Sequence, residues 1–372
     1  SYISDIKNNE LRKIEKKNIL SMDEIYEIKK CDYIILCLPT PLKKNMPDMS
    51  AIQHVAKSIY PYLKKNQTII LESSVYPGAT EKIFLDLLNK KFKIGKNFFL
   101  GYSPERVDPG HSKKYKKMKY IEIPKLISGK TINCLKKLSK IYNSIFKYVY
   151  PCKTIKIAET AKIFENIFRA VNIGLVNEMK MLTNKMNINI HEVIDAAATK
   201  PFGFRKFSPG PGVGGHCIPV DPIFMQWVAK KHKTETRFID LGVKTNFKIT
   251  NWIIKKILTI FKGKKVKCLL LGITYKPDIN DLRESPSIKI FNRLLKNKNV
   301  KIDYNDPFIE KFKIGKNLFK NTIVKKHNSY DYIIICTNHS NYNYSQILKE
   351  SKKIIDTRGV YKNNNSKKII HL

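Results

Sequence analysis

The 372-residue chain has no run of eighteen apolar residues, which argues against a membrane-spanning helix. Its opening residues, Ser1-Tyr2-Ile3-Ser4-Asp5, show neither the basic nor the apolar region of a signal peptide. The seven cysteines are an odd number scattered singly, so they form neither a disulfide framework nor a metal-ligand spacing. No bound metal is expected, and a reducing cytoplasm fits best. No repeat of solenoid period and no low-complexity linker interrupts the chain. Acidic residues are scarce: 31 Asp and Glu against 70 Lys and Arg leave a formal net charge of +39. Alone, that charge suggests a polyanion partner such as nucleic acid. Yet the lysines are spread through every segment, only 111–120 (HSKKYKKMKY) is locally dense, and no nucleic-acid motif accompanies it. The expectation is solvated lysine faces and no nucleic-acid partner.

What is present is core material. Hydrophobic residues make up 42% and aromatics 10%, enough for two or three folded domains at this length. Short apolar runs at 33–38, 68–72 and 98–102 read as buried parallel strands, each running into a polar loop: Pro39-Thr40-Pro41, Ser73-Ser74, and Ser103-Pro104-Glu105. From Thr160 to Asn184 apolar residues recur at helical spacing without a proline, and further helices are expected over 191–198 and 238–261, with a loop over 200–222 between them. A second alternation begins at Lys265, with strands at 266–272, 300–304, 332–337 and 353–356 and a helix over 287–295. The pattern is α/β: two Rossmann-like, doubly wound parallel-sheet domains joined by a central helical region. Ligands of such folds bind beyond the carboxyl ends of the strands.

Three segments can carry chemistry. The loop from Phe207 to Asp221 contains four glycines, which let the backbone approach a ligand closely, and ends near Cys217, a thiol placed to attack a carbonyl held there. A buried structural cysteine is the plain alternative; His216 and Asp221 beside it suggest a Cys-His hydrolase, but sequence neighbours rarely form such a pair. Lys162 and Asn166 are four residues apart and share a helix face, able to stabilise an oxyanion or simply to meet solvent. Tyr275-Lys276-Pro277-Asp278 and Asp281 to Pro286, directly after a strand, offer a lysine and an arginine for a diphosphate, or a surface ion-pair cluster.

In order and spacing, four stretches together resemble the UDP-glucose/GDP-mannose dehydrogenase family, and within it the UDP-N-acetylglucosamine 6-dehydrogenases. They are 72–81 (ESSVYPGATE), 103–110 (SPERVDPG), 200–222 with its GPGVGGHCIPVDP end, and 272–286. The resemblance implies NAD as cofactor and a UDP-sugar, UDP-N-acetylglucosamine foremost, oxidised at C6 for surface-polysaccharide precursors. UDP-N-acetylmannosamine and UDP-glucose are alternatives, as is a non-catalytic nucleotide-sugar-binding remnant. It implies Cys217 as nucleophile, with Lys162, Asn166 and Asp221 placing water and stabilising the oxyanion, and with Glu105 and Ser74 (a threonine in the family) beside them. Pro39, Thr40, Ser73, Ser74 and Arg283 match NAD-contacting positions. Glu105, Arg106, Val107, Asp108, Lys162, Asn166, Ser208, Gly210, Gly212, Gly214, Tyr275, Lys276 and Arg358 match substrate positions. Pro109 replaces the family's second acidic residue in the 105–110 loop, and Asp108 is the candidate to compensate. The implied domains are 1–153 for NAD, 154–252 for a helical dimerisation domain carrying the cysteine loop, and 253–372 for the UDP-sugar. A homodimer is expected.

The family opens with a strand and a G-x-G-x-x-G turn holding the NAD pyrophosphate at a helix N-terminus. This chain opens on no such unit, and roughly 30 or more residues, about one βαβ unit, are expected to be missing ahead of Ser1. NAD should accordingly bind at least ~10-fold more weakly than with that unit restored.

Overall fold

The computed structural model describes residues 24–107, 120–324 and 326–372. The chain divides into two compact units, one of residues 1–167 with 220–236 and one of 168–219 with 237–372.

In the first unit β1 (Tyr33–Leu36), β4 (Thr68–Leu71), β5 (Phe99–Tyr102), β6 (Lys125–Gly129) and β7 (Val149–Pro151) form one sheet in that order. Small β2 (Leu42–Lys43) and β3 (Met46–Pro47) pair apart from it. The pairs β1–β4 and β4–β5 are parallel, as their unbroken apolar runs predict. β6, unforeseen from the sequence, runs antiparallel to β5, and helix α3 (Ile132–Asn143) then returns the chain to β7, parallel to β6. Helices α1 (Ser50–Ile59), α2 (Ala79–Leu88) and α3 bury residues at helical spacing, such as Ile52, Ala56 and Ile59 on α1.

Helix α4 (Ile155–Lys185) starts five residues before Thr160, and α5 (Ile190–Ala197) lies one residue earlier than expected. The loop expected to reach Pro222 ends at Val220, because α6 (Asp221–Lys231) begins there. Pro222 sits in its first turn, where a missing N–H removes no helical hydrogen bond.

The second unit holds a sheet in the order β14 (Ile369–His371), β13 (Ile354–Asp356), β12 (Tyr332–Ile335), β8 (Val266–Leu271), β9 (Val300–Asn305), every pair parallel. A hairpin of β10 (Lys311–Ile314) and β11 (Asn317–Lys320) sits apart, and α8 (Pro286–Leu295) and α9 (Tyr344–Glu350) complete the alternation. One face of α7 (Arg237–Phe261) contributes Ile249, Ile253, Ile254, Ile257 and Phe261 to a core shared with β8, β9, β12 and α8. Helices α4 and α7 pass closely at two glycines. A Cβ on Gly174 would lie 3.1 Å from the Gly242 carbonyl oxygen, and one on Gly242 3.2 Å from Val171 Cα. Among the described residues no helix is long and apolar enough to cross a membrane.

Candidate active site

In the first unit the polar loops beyond β1 and β4 are tied together. Ser73 Oγ accepts the Leu38 N–H at 2.8 Å, and Thr40 Oγ1 donates to the Ser74 carbonyl at 2.7 Å. Thus Pro39, Thr40, Ser73 and Ser74 line the carboxyl ends of two adjacent parallel strands, where this architecture receives ligands. Pro39 is exposed and Thr40 half-buried, so this edge is open to a dinucleotide and the residues fit one side of its cradle. The letters G-x-G-x-x-G do occur at Gly210 to Gly215, but in a loop between helices α5 and α6 rather than after a strand.

The face of α4 that carries Lys162 and Asn166 also carries Glu159, whose role the sequence reading missed. Glu159 is fully buried and accepts from Gly78 N at 2.5 Å, Thr80 N at 2.9 Å and Thr80 Oγ1 at 2.6 Å, thereby capping α2 after the Ser73–Ser74 loop. Burial pushes its pKa up to about 7 against the pull of those hydrogen bonds. Asn166 Nδ2 donates to Asp221 Oδ2 at 2.6 Å. Burial raises the Asp221 pKa to about 6, while the Asn166 hydrogen bond and the Lys162 charge hold it down. A carboxylate poised there can exchange protons near neutral pH.

Glu105 is exposed, with Oε1 accepting the N–H groups of Arg106 and Val107 at 2.7 and 2.6 Å. Its other oxygen lies 3.2 Å from Lys125 Nζ, which also lies 3.1 Å from Glu72 Oε1. Burial works to raise the Glu105 pKa, but Lys125 and the backbone donors outweigh it and the net shift is downward. Lys125 is 3% exposed. A lysine opening a short strand reads as solvated, so nothing in the sequence marked it. Arg106 is committed to Glu165 (2.6 Å) and to the Pro124 carbonyl (2.7 Å). Val107 is half-buried next to it; Asp108 lies outside the described residues.

In the second unit the loop holding Ser208, Gly210, Gly212, Gly214 and Cys217 packs on protein at most of these points. Ser208 is exposed and Cys217 half-buried. Gly210 donates its N–H to Asn177 Oδ1 at 3.0 Å, and Gly215 donates to the Arg283 carbonyl at 2.8 Å. Two of the four glycine N–H groups in this loop are therefore spent on the protein. Close approach demands glycine at 214, where a Cβ would lie 2.5 Å from Tyr275 Cβ and 2.9 Å from the Glu284 carbonyl oxygen, while a Cβ on Gly210 would lie 2.6 Å from Arg358 Nη1, the tip of a flexible side chain. Arg283 is held by both Asp281 carboxylate oxygens, at 3.0 and 2.6 Å. The Asp281 hydrogen bond raises the Arg283 pKa against burial, with smaller contributions from Asp281 charge, Tyr275 and Cys217. Tyr275, Arg283 and Cys217 therefore share one neighbourhood.

The Tyr275–Lys276 loop is fixed from below by His339 and Asp306, both fully buried. Asp306 Oδ2 accepts from Ile273 N at 2.7 Å and Thr274 N at 3.2 Å. His339 Nδ1 accepts the Asp278 N–H at 3.0 Å, which leaves Nε2 as the donor toward Asp306 Oδ2 at 3.0 Å. Among the described residues no group of His, Cys, Asp or Glu could hold a metal ion.

The chain matches three domains of one family: the UDP-glucose/GDP-mannose dehydrogenase NAD-binding domain over 3–146, the central domain over 156–248 and the UDP-binding domain over 269–363. It is 31% identical to Protein CapL of Staphylococcus aureus, over 97% of this chain and 88% of that protein. It is 32% identical to a UDP-N-acetyl-D-glucosamine 6-dehydrogenase of Pseudomonas aeruginosa, over 86% of this chain and 76% of that one. The solved structure of a UDP-D-ManNAc dehydrogenase from Pyrococcus horikoshii superposes with a TM-score of 0.82 at 26% identity, covering 94% and 82% of the two chains. On these matches the chain belongs to the UDP-glucose/GDP-mannose dehydrogenase family, the NAD-dependent dehydrogenases of nucleotide sugars.

Proposed function

We propose that the protein oxidises C6 of a UDP-N-acetylhexosamine, UDP-N-acetylglucosamine foremost, from alcohol to carboxylate in two steps, with Cys217 holding the intermediate covalently. NAD, when bound, supplies the hydride acceptor for each step. Asp221, aided by Lys162, takes up the hydroxyl proton through a held water as the alcohol becomes an aldehyde. The Cys217 sulfur then adds to the aldehyde carbon, giving a thiohemiacetal whose developing oxyanion Lys162 and Asn166 stabilise. Loss of the second hydride leaves a thioester, and water cleaves it to the carboxylate and the free thiol. Covalent capture keeps the aldehyde from escaping between oxidations.

The observation that carries this reading is Asp221. It is 2% exposed, held by Asn166, raised to about 6, and four residues after Cys217 in the chain. The named P. aeruginosa relative supports the N-acetylglucosamine sugar, and the P. horikoshii structure makes the N-acetylmannosamine epimer the second reading. The test is NADH formation from a panel of UDP-sugars by wild type and Cys217→Ser. Wild type should form two NADH per UDP-N-acetylglucosamine, and C217S should form no uronate while still binding the sugar nucleotide. Equal turnover by the two proteins would remove the covalent role. Binding without NADH would indicate a binding protein rather than an enzyme.

The same reading places the protein in the cytoplasm, where its seven free cysteines stay reduced. It also makes it a homodimer through the central helices. α4 leaves Phe164 66%, Phe168 43%, Leu175 57% and Leu182 51% exposed, a stripe that a second copy would cover.

A further inference from the structure

Lys180, on the second half of α4, is 2% exposed, and no step above uses it. Its Nζ donates to the Thr357 carbonyl at 2.9 Å, on the residue just before Arg358. One turn earlier on the same helix, fully buried Asn177 accepts the Gly210 N–H at 3.0 Å. Asn177 is itself fixed by donating to Asn246 Oδ1 at 3.1 Å, and Asn246 donates to the Ala170 carbonyl at 2.8 Å. One helix face thus grips two separate loops, the glycine-rich loop at Gly210 and the loop beyond β13 at Thr357.

The two loops meet at Arg358, whose Nη1 would lie 2.6 Å from a Cβ on Gly210. Arg358 N donates to Asp356 Oδ1 at 2.9 Å and Nε to the Cys336 carbonyl at 2.6 Å. Its Nη2 is buried without a partner. An enclosed guanidinium N–H left unmatched costs free energy unless an acceptor arrives. Burial holds the Lys180 pKa down to about 7, with Asp356 opposing and the Arg358 charge adding to the fall. An apolar side chain of similar shape would avoid that desolvation. Packing alone therefore does not account for a lysine here, and its carbonyl contact beside Arg358 does.

We infer that Lys180 is a positioning residue: with Asn177 it sets Arg358 against the glycine-rich loop, so that Nη2 is presented to an anionic oxygen of the bound nucleotide diphosphate. This rests on the proposed reading that the second unit receives the UDP part of the substrate.

The experiment titrates UDP calorimetrically into the full chain as wild type, Lys180→Met and Lys180→Gln, with thermal melts of each. K180M keeps length and removes the donor; K180Q keeps a side-chain N–H. The expected result is at least ~10-fold weaker UDP binding by K180M without a lower Tm. K180Q should recover most of the affinity, and kcat of K180M should stay within about threefold while KM rises. UDP affinity in K180M equal to wild type, whatever its Tm, overturns the inference, as does a K180Q as weak as K180M. If K180M does not fold, Lys180→Leu is read by the same criteria. Failure of wild type itself to bind UDP would instead count against the proposed substrate.

Discussion

Asn166 and Asp221, 55 positions apart in the chain, meet through a 2.6 Å hydrogen bond from Nδ2 to Oδ2, with Asn166 6% and Asp221 2% exposed. The donor stabilises the ionised carboxylate and so opposes the upward push of burial. Asn166→Ala should raise the Asp221 pKa further above its present value of about 6. The acid limb of the kcat/KM profile should then move to higher pH, with a loss of at least ~10-fold at pH 7. A limb that stays in place in N166A would show that Asp221 is not the titrating base.

Asp221 also has a stability signature. Its folded pKa of about 6 exceeds the ordinary 3.8, so its favourable contribution is complete below pH 3.8 and is lost as pH rises through about 6. Asp221→Asn keeps an acceptor for Asn166 and removes the buried charge. At pH 8 it should stabilise the protein by up to about 3 kcal/mol, a gain that vanishes near pH 4, while activity falls by at least ~100-fold. Denaturant melts at the two pH values, beside NADH assays, read this directly. A variant less stable than wild type at pH 8 would contradict it.

His339 links the Tyr275–Lys276 loop to Asp306 from a fully buried position. His339→Ala strands the Asp278 N–H and an Asp306 oxygen lone pair, so a loss of about 2–4 kcal/mol is expected by urea unfolding. UDP binding should weaken with it, because the loop loses its support. Wild-type stability in this variant would mean that the network contributes nothing.

For the dimer, Leu175→Glu places a charge on the exposed α4 stripe without touching a buried residue. Light scattering should give a dimer mass for wild type and a monomer for the variant, with the far-UV spectrum unchanged. A wild-type monomer at every concentration would eliminate the proposed interface.

Local pattern alone located most of the sheet strands, because β1, β4, β8, β12 and β13 are short apolar runs closed by polar loops, a signature that needs no knowledge of partners. It also placed α4, α5 and α7 within a few residues, since their apolar spacing is strict. The shared helix face of Lys162 and Asn166 followed from the same periodicity. What the tertiary structure decided was which polar residues lose their water. Glu159, Lys125 and Lys180 have the letters of solvated surface residues, and only packing from distant segments makes them a helix cap, an ion-pair hub and a buried loop anchor. The antiparallel turn of β6 against β5 was likewise invisible, because the short run Lys125–Gly129 opens on a lysine and carries no local mark of its partner across the sheet. The glycines of 210–215 read as a ligand cradle, yet Arg358 and Tyr275 occupy the space that side chains there would need. Desolvation and close approach are properties of neighbours brought together by folding, and no local stretch of sequence contains them.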